Sequence, residues 1–154
     1  MKRLTREWVR KAEGDLRAAR ELYAAGQRLH DAVCFHCQQA AEKYFKALLQ
    51  ELATRPPRTH DLVQLLDLVV PHHKELRNLR RSVRALTRYA VEYRYPGTEA
   101  TARQARSALR VAEQVRDEVR ARLGIRSGGR RGHQPSSRGR HGAAGIRQSD
   151  SRRL

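Results

Sequence analysis

The chain has 154 residues, the size of one ordinary domain, with 39% hydrophobic and 32% charged residues. Its formal net charge of +17 is unevenly spread: eight arginines and one aspartate give residues 124–154 a charge of +7, leaving +10 upstream. No stretch approaches the roughly 20 apolar residues of a membrane span, and no apolar segment follows Met1 as in a secretory signal. A cytoplasmic chain with reduced thiols and no membrane attachment is therefore expected. The positive charge favours phosphate-bearing or acidic partners over cationic ones.

Apolar residues recur at spacings of three and four, which predicts an all-α domain of about five helices. The first helix carries Trp8, Ala12, Leu16, Ala19 and Leu22 or Tyr23. Glu7 is expected in its first turn, and Gly26 closes it. The second runs from about Asp31 to Leu52, with Val33, Cys37, Ala40, Ala41, Tyr44, Leu48 and Leu52 as a buried stripe that Phe35, Phe45 and Leu49 widen. A helix apolar over so much of its girth should lie centrally. Pro56 and Pro57 break the pattern. Thr59 is the expected N-cap of a short third helix with Leu62, Leu65, Leu66 and Val69 inward, ended by Pro71. The fourth carries Leu76, Leu79, Val83, Leu86, Ala90 and Tyr93. Pro96-Gly97 is the next break, after which Thr98 is the expected cap of a fifth helix with Ala105, Leu109, Ala112, Val115, Val119 and Leu123 inward. The domain is expected over 4–123. Residues 124–154 have no aromatic and are rich in Arg, Gly and Ser, so they are expected to form a disordered basic tail. That tail offers RNA binding by counterion release as one functional reading.

Several residues have the chemistry of a site. His36, Gln39 and Lys43 share one helical face. His60 and Asp61 open the third helix, where backbone amides favour anions. Tyr93-Arg94-Tyr95 combines a guanidinium with two rings, suited to a phosphate and a base. Cys34 and Cys37 have CxxC spacing, but no strand precedes them, and a zinc site needs about four ligands. Helix packing is their expected role, and nothing in the sequence calls for a metal or cofactor.

The run from Asp31 to Leu49, with Thr59-His60-Asp61-Leu62 and Tyr93-Arg94-Tyr95-Pro96 at their separations, resembles the HEPN (higher eukaryotes and prokaryotes nucleotide-binding) domain across about residues 4–123. The resemblance implies an up-and-down helical bundle that forms a homodimer. It also implies pairing with a minimal nucleotidyltransferase in a toxin–antitoxin-like system, and some such transferases adenylylate a tyrosine of their partner. On this reading His36, Gln39, Lys43, His60, Arg94 and Tyr95 surround a cleft for nucleotide or RNA phosphate. Lys43 and Arg94 would hold phosphate, His60 would orient it or exchange protons, and Tyr93 or Tyr95 would accept modification.

The resemblance further implies that nuclease members are metal-independent endoribonucleases using Arg, four to six residues, then His. After Arg94 that histidine falls at 99–101, occupied here by Glu99, Ala100 and Thr101. Glu99 would repel phosphate and does not replace imidazole near neutral pH without a raised pKa. Arg55 and His60 repeat the spacing, but between the second and third helices. The enzymatic alternative therefore rests on His60 and Arg94, with His60 reaching across a dimer.

Overall fold

The computed structural model describes residues 1–126; the expected tail lies, beyond its first three residues, outside them. Five helices follow one another: α1 (Arg3–Ala24), α2 (His30–Glu51), α3 (Leu62–Val69), α4 (Arg80–Glu92) and α5 (Ala102–Arg122), with a 3-10 segment, Lys74–Leu79, leading into α4. The all-α bundle expected from the periodicity is what forms.

The girth of α2 sets the arrangement. It packs against α1, α3, α4 and α5, while α1 also touches α5. Tyr44, Phe45, Leu48 and Leu49 of α2 are buried, as are Leu16 of α1, Leu65 and Leu66 of α3, Leu86 of α4 and Val115 of α5. Phe35 departs from the expected apolar surface and stays 37% exposed. Its ring is used instead at the site described below.

Several local expectations are corrected. Glu7 is not in the first turn of α1, which starts at Arg3; it accepts a hydrogen bond from Arg3 one turn earlier, at 2.7 Å. Asp61, not Thr59, caps α3, accepting from the Val63 and Gln64 amides, while Thr59 Oγ1 accepts from the Asp61 amide. Thr101, not Thr98, caps α5 in a reciprocal capping box with Gln104. Thr98 Oγ1 instead donates to the Glu92 carbonyl at 2.7 Å, closing the loop after α4. Leu76 and Leu79 are buried as expected, but in the 3-10 segment and not in a continuous α4.

Two helices end in the same way with different residues. At the end of α5, Ile125 N–H donates to Arg120 O and Gly124, at φ +70°, donates to Ala121 O. At the end of α2, Thr54 N–H donates to Leu49 O and Ala53, at φ +57°, donates to Gln50 O. Both are Schellman turns, and the left-handed position is costly for any residue with a Cβ. Ala53→Gly should therefore raise unfolding stability by about 0.5–1 kcal/mol, the left-handed penalty outweighing the extra freedom of the unfolded glycine chain. Gly14→Ala should give a similar gain of about 0.5–1 kcal/mol for the opposite reason. Gly14 is exposed inside α1, and an added Cβ meets no atom within 4 Å. Urea denaturation of both variants checks the two signs together.

Candidate functional site

The sequence places polar residues along a helix that is otherwise buried, and the structure shows what they meet. Asp15 of α1 sits between His36 and Lys43 of α2. Its Oδ1 is 2.9 Å from His36 Nδ1, and its Oδ2 accepts a hydrogen bond from Lys43 Nζ. Lys43 is thus already compensated by a carboxylate from the neighbouring helix.

A second cluster surrounds Glu42 on α2. Glu42 is 4% exposed, beside Lys46 at 7% and Gln38 at 2%. Lys46 Nζ donates to Oε1 at 2.7 Å. Gln38 Nε2 donates to Oε2 at 3.1 Å, and His60 Nδ1 lies 2.9 Å from the same oxygen. Gln38 also donates to the His60 carbonyl at 3.0 Å, so the loop before α3 is held at both its backbone and its ring. Gln39 joins through Gln38 Oε1, at 2.9 Å. Burial by itself would raise the Glu42 pKa, but hydrogen bonds from Lys46, His60 and Gln38 outweigh it and hold the carboxyl below its ordinary value.

The His60 side chain is 74% exposed, although its Nδ1 faces a buried carboxylate. In the neutral ring that contact favours a proton on Nδ1, which turns the Nε2 lone pair to solvent; protonated, Nε2 becomes a donor. An anchored imidazole with one free nitrogen is what proton exchange or phosphate contact requires.

Farther toward the start of α2, Arg94 lies over the Phe35 ring, with 5.4 Å from its guanidinium carbon to the ring centroid. Phe35 in turn meets His36 edge-on at 5.3 Å. The loop carrying Arg94 is fixed to α2 because Ala100 N–H donates to Asp31 Oδ1 at 2.6 Å. From Phe35 to Glu42 the helix rises about 10 Å, so Arg94 and His60 occupy neighbouring stations of one strip. Tyr95 is 69% exposed and is not brought onto it. Tyr93 is half-buried and stacks on Tyr89 at 6.2 Å.

This architecture has relatives. The HEPN domain family model matches residues 5–122. The chain belongs to the HEPN family. Two crystal structures agree. The archaeal HEPN homologue ST0689 shares 27% identity and a TM-score of 0.64, covering 80% of this chain and 99% of its own. TT1696 from Thermus thermophilus shares 26% identity and a TM-score of 0.63, covering 77% of this chain and 98% of its own. No curated protein matches the chain.

Within this HEPN domain, position 100 gives its amide to Asp31 and Thr101 caps α5, so the segment after Arg94 serves the backbone. Cys34 and Cys37 are both buried and unbridged. Burial, with Asp31 nearby, pushes Cys34 up to about 11, and burial raises Cys37 further. These are packing thiols, poor nucleophiles at neutral pH. Among the described residues no helix is long and apolar enough to cross a membrane.

Glu42 is the residue missed at the level of sequence. Gln38, Glu42 and Lys46 repeat at a spacing of four, on a helix whose remaining residues demand burial. That repeat was the available signal for a buried polar cluster.

Proposed function

We propose that this HEPN domain binds nucleotide or RNA phosphate, as a homodimer that works with a minimal nucleotidyltransferase in a toxin–antitoxin-like pair. The observation that carries the reading is the exposed His60 imidazole clamped by buried Glu42, in a loop that also holds exposed Arg55 and Arg58. Arg94, exposed on Phe35, extends the same strip. An extended anion laid along α2 would meet the His60 loop and Arg94 in succession, while Lys43 holds Asp15 and shapes the floor. Tyr95, the more exposed of the two loop tyrosines, is the acceptor for modification by the partner transferase.

Fluorescence anisotropy with a labelled single-stranded RNA tests the binding. Three phosphate contacts predict an affinity loss of roughly 20-fold between 50 and 200 mM salt. His60→Ala together with Arg94→Ala should weaken binding at least about tenfold. Binding unchanged by the double substitution would contradict the assignment of the strip.

A second reading, metal-independent endoribonuclease, is favoured by the same Glu42–His60 pair, because a buried carboxylate behind an imidazole fixes its tautomer and its orientation. The full chain should then cut RNA in EDTA, and His60→Ala should abolish cleavage. No cleavage across a broad RNA panel removes this reading.

A further inference from the structure

Beside the strip, on the far side of the Glu42–Lys46 pair, the start of α1 and the loop after α2 enclose a cavity of about 450 Å³. Leu4, Trp8, Pro56 and Pro57 give it apolar walls, and Lys11, Lys46, Arg55 and Arg58 line it together with Gln50 and Glu7. The one acid in its lining, Glu7, pairs with Arg3, and Glu42 outside it pairs with Lys46. Lys11, Arg55 and Arg58 are exposed, and none has a carboxylate partner among the described residues. Lys46, itself buried, places its ammonium 5.7 Å from the centroid of the Trp8 ring. A largely apolar hollow with a few convergent charged groups is the usual form of a small-molecule site. Here an indole and two prolines suit a flat aromatic body, and three exposed cations without a carboxylate partner among the described residues suit phosphate.

We propose that this cavity is a mononucleotide site, in which the base packs between Trp8 and the Pro56-Pro57 wall and Arg55, Arg58 and Lys11 hold the phosphates. The proposal rests on the nucleotide-binding reading above and gives a mononucleotide its own place beside the strip. It also gives that reading a route of communication: Lys46 touches the cavity and Glu42, and Glu42 holds His60. A ligand phosphate that draws on Lys46 would alter the hold on the exposed imidazole.

Trp8 is the single tryptophan of the chain, so its emission reports most directly on this site. Titrating the full chain with ATP, GTP and AMP at fixed ionic strength should change Trp8 emission saturably. Inorganic tripolyphosphate should bind at least about tenfold more weakly than ATP, since it lacks a base to pack on the indole. Arg55→Ala with Arg58→Ala should weaken ATP binding at least about tenfold while circular dichroism stays unchanged. Calorimetric ATP binding with unmoved Trp8 emission and no effect of the arginine substitutions would overturn this site and leave the nucleotide-binding reading standing. Tripolyphosphate binding as tightly as ATP would overturn the base-packing role. An RNA oligonucleotide that shifts Trp8 emission where no mononucleotide does would overturn the mononucleotide assignment. Failure of every nucleotide and RNA to bind would remove the parent reading with it.

Discussion

Glu42→Gln is expected to destabilise the fold by about 3 kcal/mol, because it leaves the buried Lys46 ammonium without its counter-charge. Lys46 opens onto the cavity beside Trp8, which keeps the loss at the low end of the range for broken buried pairs. Neutralising both partners tests the cause: Glu42→Gln with Lys46→Met should recover part of the loss, giving a non-additive cycle. The pH dependence carries the same sign. The Glu42 pKa is lower in the folded chain than in the unfolded one, so its contribution is complete above the ordinary carboxylate pKa and is lost as pH falls through the folded value. Glu13 is also lowered: burial opposes, but the hydrogen bonds from Arg116 and the charges of Arg116 and Arg120 prevail. The wild-type chain should thus lose stability below about pH 4.5. The Glu42→Gln variant should show a shallower acid limb, measured by urea midpoints across roughly pH 3 to 7.

Phe45→Ala should cost about 3–5 kcal/mol, among the largest losses from a single truncation in α2. Phe45 is fully buried in the helix that touches all four others, so the void opens where the bundle has least room to collapse. Earlier on the same helix, Phe35 offers an internal comparison. It is 37% exposed and seats Arg94, so Phe35→Ala should cost only about 1 kcal/mol of stability. It should nevertheless weaken RNA binding, because Arg94 loses the ring that holds it. A midpoint shift in urea without a change in slope identifies both as stability effects.

The central position of α2 was legible because its apolar residues cover too much of the helix for one neighbour to bury. Helix ends were less so, and for identifiable reasons. Thr98 and Thr101 are both good caps in isolation, but only Thr101 has a Gln three residues on to return the hydrogen bond. Asp61, immediately before Leu62, competes with Thr59 for α3, and the carboxylate two residues closer to the helix wins. The 3-10 segment ending at Leu79 escaped because a spacing of three satisfies either helix type. At the site, the shared face of His36, Gln39 and Lys43 was visible in the spacing. That Lys43 would be taken up by Asp15 was not, since Asp15 comes from another helix twenty-eight residues away. The Trp8 cavity was invisible for the same reason: it exists only because the 54–58 loop folds back against the start of α1.

At the centre of the functional reading is the exposed nitrogen of His60 facing a phosphate ligand. Imidazole resonances of the full chain, assigned with His60→Ala, can be followed by NMR while ATP or a short RNA is added. The expected result is a saturable shift of the His60 ring signals, with those of His72 and His73 unmoved. Saturated ligand binding that leaves the His60 signals in place would contradict it.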